Sequence, residues 1–411
     1  MNGAEEILLL ISSTLFLCYL SGLIYTKTKI PDILWLLAFG ILLGPIFGVI
    51  DKTAFQSASS MMGVIAICII TFDSGINLDV KVLQKTFFKS TVLTLATFFA
   101  MTFTVGYAVS ILMPNYFTIY EGLLLGTMVA GISTVAVSTL LDGLQKLIPN
   151  LESTRALLML ESTLCDPIRV VAAITIIRFI FTPTISFRDS AKDIVFTFVI
   201  GTILGLVIGL IWGEVLEKLK GQSLNYMMTL AILFPTYIVG EYAGDGGGTM
   251  AVFLFGLVLS NYINIAKWLG VKRRHRPDKA QLQEFNEEMA FFLKSYYFVY
   301  IGLIVEISQE FMLVGLGIVV LIMGVRYAVG TGVSRIMGFT LEEKTLSRII
   351  FTLGTSTIVM SQIPSIYDPA MEIITNQAIY TNLCFPIVLG TVVYASIVSP
   401  ILAKRQLSEN S

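Results

Sequence analysis

Apolar stretches long enough to cross a lipid bilayer recur thirteen times along this chain of 411 residues. Each span needs about 20 predominantly apolar residues to cover roughly 30 Å of hydrocarbon. The stretches fall near 6–25, 33–50, 59–78, 88–113, 119–141, 154–181, 192–213, 225–242, 249–265, 289–306, 311–336, 346–366 and 376–402. Charged residues make up 13% of the chain, about half the share of an ordinary soluble domain. The surface that water would require is missing, so the sequence predicts an all-α polytopic membrane protein. No segment between the spans has room for a soluble regulatory domain. The longest polar one, from about Lys267 to Glu288, reads as a loop with at most one short amphipathic helix. The first apolar run lacks a basic flank and a small-residue cleavage site, so it reads as a retained span.

Several chemistries drop out early. A net charge of −1 gives no electrostatic footprint for a nucleic-acid partner. Cys18, Cys68, Cys165 and Cys384 each lie inside an apolar stretch, which fits lone buried thiols rather than a disulfide framework. One histidine, His275 in a basic loop, leaves no histidine-based metal site or catalytic triad. No cofactor is expected.

Orientation follows from the loops. After the odd-numbered spans come Lys27 and Lys29, then Lys81, Lys85 and Lys89, then Lys146 and Arg155, then Lys218 and Lys220. Lys267, Lys272, Arg273, Arg274, Arg276 and Lys279 follow, then Arg335, Lys344 and Arg348, and finally Lys404 and Arg405. After the even-numbered spans come only Lys52, Arg188 and Lys192. Basic residues concentrate on the cytoplasmic side, so the amino terminus is expected outside and the carboxyl terminus in the cytoplasm of a multi-pass plasma-membrane protein.

Four basic residues remain, and they lie within spans: Arg169, Arg178, Lys294 and Arg326. Arg178 is near a helix end and can snorkel to the interface. The other three are deep, and so are three acids, Asp73, Glu161 and Asp166. Each deep charge costs on the order of 3 kcal/mol or more to insert. A network this costly points to an ion or substrate path rather than to helix association alone.

Two spans carry matching small, hydroxyl-rich segments near their middles. Span 5 holds Ala130-Gly131-Ile132-Ser133-Thr134, and span 12 holds Gly354-Thr355-Ser356-Thr357. Such segments are where transporter helices unwind and present carbonyls and half-helix ends to an ion. They predict crossed broken helices within two inverted six-helix repeats, about 1–181 and 225–402, joined by a linker span at 192–213. The whole chain then forms one transporter domain.

Span 6 reads Glu161-Ser162-Thr163-Leu164-Cys165-Asp166-Pro167-Ile168-Arg169. Asp166 lies eleven residues beyond Arg155, roughly 16 Å at 1.5 Å per residue, which is the bilayer midplane. Ser162, Asp166 and Arg169 share one helix face, while Glu161 points elsewhere and needs its own cation. A midplane carboxylate can hold a proton or a small dehydrated cation, but not both. That competition is the elementary requirement for exchange. Arg169, one turn from Asp166, can act as an internal substitute ion, with Asp73 as its rival partner.

The Glu-Ser-x-x-x-Asp-Pro arrangement in the sixth of thirteen spans resembles the monovalent cation/proton antiporter superfamily, particularly its archaeal NhaP-type sodium/proton exchangers. Gly248-Thr249-Met250-Ala251-Val252 with Gly256, Lys294 ahead of Tyr300-Ile301-Gly302, and Arg326 in span 11 extend the likeness over nearly the whole chain. The resemblance implies that Asp166 binds the cation, most simply sodium, and exchanges its proton. It implies that Ser162 and Asp73 help coordinate, with Ser133 and Thr134 at the span-5 break. It also implies that Glu161 pairs with Arg326, and that the protein is a homodimer. Arg169 and Lys294 then modulate the site's charge, and Gly354, Thr355 and Ser356 form the span-12 break. The chain departs from the family pattern at Cys165, where an Asn is usual, at Ser133-Thr134-Val135, where Thr-Asp-Pro is usual and the Asp is missing, and at Arg169, where a small residue is usual. Lithium and potassium are the other candidate cations.

Three other readings compete. A sodium-coupled organic-anion transporter would use Arg169 and both breaks for a carboxylated substrate. An ion channel-like or regulated relative would keep the path without exchange. An intramembrane aspartyl protease would pair Asp73 with Asp166, but its Gly-x-Gly-Asp signature is missing, so no enzyme activity is expected.

Overall fold

The structure is a computed structural model that describes residues 3–28, 32–48, 52–78, 80–145, 151–182, 187–219, 225–244, 246–268, 270 and 279–408. The side chain of Lys294, the acid Asp245 and the basic loop residues 271–278 lie outside the described residues. Helix follows helix, with no strand among the described residues. In chain order they are α1 (Gly3–Thr28), α2 (Asp32–Ile41), α3 (Lys52–Ile76), α4 (Val80–Leu112), α5 (Ile119–Val129) and α6 (Thr134–Gln145). Next come α7 (Glu152–Phe181), α8 (Phe187–Lys218), α9 (Asn225–Ala243), α10 (Gly247–Ser260), α11 (Tyr262–Trp268) and α12 (Lys279–Ile304). The last six are α13 (Gln309–Ile336), α14 (Leu341–Ile349), α15 (Thr355–Met360), α16 (Ile363–Tyr367), α17 (Ala378–Val393) and α18 (Ser399–Ser408).

The solvent of this fold is legible on its surface. Along α8, Val199, Ile203, Val207 and Ile211 recur at helical spacing, and all four are exposed. α13 exposes Leu313, Leu316 and Val320 in the same way. A helix apolar on its outward face as well as its inward one is suited to lipid. By length and composition alone four described helical stretches suffice to cross a bilayer, or five if one bent pair counts as a single span.

That bent pair corrects one sequence expectation. The stretch 249–265 reads as one apolar span, yet α10 and α11 meet at 95°. The cause is Asn261 between them. Its amide donates to the carbonyls of Leu78 (2.7 Å) and Leu257 (2.9 Å), while its oxygen accepts from the Val80 N–H (3.0 Å). A buried amide that satisfies chain ends from another helix competes with continued helical bonding.

The helices sort into two groups. In one, α10 packs on α8, α9 and α3, and α12 packs on α2 and α3. In the other, α4 packs on α5, α7 and α13, and α13 packs on α14 and α17. α3 meets α7, α15 and α16 where the groups touch. A polar contact joins them as well: the Tyr367 hydroxyl donates to Glu241 (3.0 Å), which also accepts from the Gly246 and Gly248 N–H groups.

α5 and α14 begin in the same way. Thr118 with Glu121, and Thr340 with Glu343, form reciprocal capping boxes, each satisfying two orphan helix-end donors. Both helices then stop abruptly. Helical bonding ends at Val129 and resumes at Thr134, and it ends at Ile349 and resumes at Thr355.

Candidate functional site

The two interruptions touch. The Ser133 N–H donates to the Thr352 carbonyl (2.8 Å), and a side chain on Gly354 would collide with the Ser133 hydroxyl, 2.6 Å from an ideal Cβ. Only glycine permits that approach. α7 passes beside them and runs through Pro167 without a break.

Arg169 fills the space between the interruptions. It is fully buried, and all five of its N–H groups are used. Nε donates to the Thr127 carbonyl (3.2 Å), and Nη2 donates to the Met128 carbonyl and to Thr357 Oγ1 (2.8 Å). Nη1 donates to Ser356 Oγ (3.0 Å) and to Asp166 Oδ1 (3.2 Å). Thr127 and Met128 end α5, so the guanidinium sits at the negative end of that helix dipole, where a cation is stabilised. Gly131 makes room for it, since a Cβ there would sit against the guanidinium. Gly131→Ala therefore overpacks the junction and is expected to cost about 1–3 kcal/mol. Thermal melting of the purified variant checks this, and a native melting curve would refute it.

Asp166 lies on the remaining side of Arg169. It is 8% exposed. Its Oδ2 accepts from the Ser74 hydroxyl of α3 (3.4 Å), so the carboxylate spans from α7 to the other helical group. Beside it, the Cys165 thiol donates to the Ala130 carbonyl (3.2 Å) at the first interruption.

The other residues singled out from the sequence are distributed as follows. Asp73 is half-buried at the end of α3 and accepts from the amides of Asn77 (3.1 Å) and Asn286 (2.7 Å). Ser162 is buried, and its hydroxyl donates to the Met159 carbonyl of its own helix. Ser133 and Thr134 are partly buried at the start of α6, and Thr355 and Ser356 open α15. Glu161 points away from Asp166 toward α13. There Arg326 meets it with a two-pronged contact, Nη2 to Oε2 at 2.9 Å and Nη1 to Oε1, and Nη1 also reaches Thr97 of α4 (3.4 Å). Both charged partners are buried, at 0% and 2% exposure.

Sequence reasoning overlooked Ser74 and Asn286. Ser74 carried a usable signal, a hydroxyl beside Asp73 in an otherwise apolar stretch. Asn286 lies in the polar run before span 10, where periodicity says nothing about which side chains turn inward.

With this geometry in view, the comparisons with known proteins agree. The profile of the transmembrane sodium/hydrogen exchangers matches residues 12–404. This protein belongs to the sodium/hydrogen exchanger family. The "Probable Na(+)/H(+) antiporter 2" of Methanocaldococcus jannaschii is 24% identical over 308 residues, covering 71% of this chain and 70% of that protein. The fold matches the structure of the sodium proton antiporter MjNhaP1 from the same organism at pH 8, with a TM-score of 0.81 at 17% identity over 98% of this chain and 99% of that one. A second structure of MjNhaP1, an electron-microscopy map, gives a TM-score of 0.72 at 18% identity, covering 97% of each chain.

Proposed function

We propose that this protein is a secondary active antiporter exchanging sodium for protons, and that Asp166 is the group that holds either the cation or the proton. The observation that carries the reading is a buried carboxylate at the junction of two interrupted helices, with one oxygen on Arg169 and the other turned to Ser74 at the contact between the two helical groups. A carboxylate at such a contact can be approached from one side and then the other as the groups shift, and exchange follows from its taking one ligand at a time. Asp73, one residue from Ser74, supplies a second charge near the path. The organic-anion reading loses its main support, because Arg169 has no N–H left for a substrate carboxylate.

Thirteen spans in two inverted repeats, an external amino terminus, a plasma-membrane location and a homodimeric assembly complete the proposal. The charge asymmetry of the loops supports the orientation, and the paired interruptions support the repeat. Liposomes holding the purified protein and an internal pH dye test the function. Sodium added outside should alkalinise the lumen within seconds, with choline as the silent control. A protein that moves no protons in response to sodium, lithium or potassium would refute the antiport reading.

A further inference from the structure

α3 turns two consecutive residues to different partners. Ser74 reaches Asp166 on α7, while Asp73 reaches Asn286 on α12. Asn286 is 1% exposed. Its amide nitrogen donates to Asp73 Oδ1 at 2.7 Å, whereas no donor reaches its Oδ1 among the described residues. A buried carbonyl oxygen without a donor is costly, by about 1–3 kcal/mol, and such an orphan calls for an explanation. This one belongs to an amide already bonded to a carboxylate. Together they offer the hard, partly negative oxygen surroundings that a dehydrated alkali cation requires.

At the interruptions, by contrast, four backbone carbonyls are already taken. The Thr127 and Met128 carbonyls are taken by Arg169, the Ala130 carbonyl by Cys165, and the Thr352 carbonyl by Ser133. The guanidinium occupies the place where unwound backbone would otherwise coordinate a cation. Ser74, Asp73 and Asn286 offer further oxygens on the α3 side.

We infer that Asp73 and Asn286 form a second alkali-cation station, neighbouring Asp166, with Ser74 as the link between the two. This rests on the antiport reading for the identity of the cargo, and it assigns Asn286 as a cation ligand. The cation is held first by the Asp73 carboxylate and the Asn286 amide oxygen. It then passes along α3 to Asp166 Oδ2, on the side that Arg169 leaves open.

The test reads binding rather than transport, so that it stands apart from the antiport reading. A ligand that binds only the folded state raises its melting temperature, with a stabilisation that grows as the logarithm of one plus the ratio of ligand concentration to Kd. Melting of the detergent-solubilised protein is followed with sodium chloride against choline chloride at constant ionic strength. In Asp166→Asn, which removes the first carboxylate, a sodium-dependent rise should persist. Adding Asn286→Ala should weaken the residual sodium affinity about fivefold, the worth of one ordinary polar contact. Adding Asn286→Asp instead, which keeps an oxygen but no amide donor, should preserve it. If Asn286 served only to donate to Asp73, Asn286→Asp would be as damaging as Asn286→Ala, and the inference would fall. It would fall equally if Asp166→Asn alone removed every sodium effect. Should Asn286→Ala not fold, the Asn286→Asp arm still decides. A native protein without sodium-driven proton flux but with this binding pattern would sink the antiport reading and leave the station standing.

Discussion

Asp166→Asn should abolish sodium-driven proton movement in liposomes while leaving a folded protein. The substitution keeps the size of the side chain, and its single amide oxygen can still accept from one of Arg169 and Ser74. What it removes is the negative charge and the capacity to take up a proton. Arg169 retains Thr127, Met128, Ser356 and Thr357 as partners, so four of its five contacts survive and the junction should stay assembled. Exchange is read from the pH dye, and folding from a monodisperse elution profile and a near-native melt. Exchange at the native rate in this variant would move the proton-carrying role elsewhere, with Asp73 the next candidate.

The second large effect should fall on stability. Glu161 and Arg326 are held in a two-pronged contact between α7 and α13, with Thr97 of α4 alongside. Neither side chain has access to solvent, so removing one leaves an uncompensated buried charge. Breaking a buried pair in this way costs about 3–5 kcal/mol. Glu161→Ala and Arg326→Ala should each lower the melting temperature sharply, and the apparent sodium affinity of whatever remains folded should change little. The double replacement Glu161→Leu with Arg326→Met should be milder than either single change, because it strands no charge. A single variant that melts like the native protein would refute the structural role.

The helical membrane class was legible from apolar run lengths and charge scarcity, since lipid leaves the backbone few alternatives. The separation of Glu161 from Asp166 could be read from helical geometry, because a difference of five residues fixes their angular offset wherever the helix lies. The kink at Asn261 could not. It depends on Leu78 and Val80, which are distant in sequence. The stretch around it is apolar enough to pass for one span. Arg169 was recognisable as a neighbour of Asp166, yet its four other partners come from α5 and α15. Those contacts turn a presumed competitor for the carboxylate into an anchored part of the junction. Asn286 stayed invisible because its significance is an oxygen that lacks a donor, which only packing can create.

The shared bond between Ser133 and Thr352 has a mechanical consequence. Together with Arg169, which grips α5 at one end and α15 at the other, it staples two chain segments more than two hundred residues apart into one stiff piece. Bending either segment alone would break hydrogen bonds that the other supplies, so the two are expected to move together. On the proposed exchange mechanism, the stroke that re-exposes Asp166 is then expected to displace this piece as a unit against its neighbours. The surface along which such a displacement would slide includes the packing of α3 on α7.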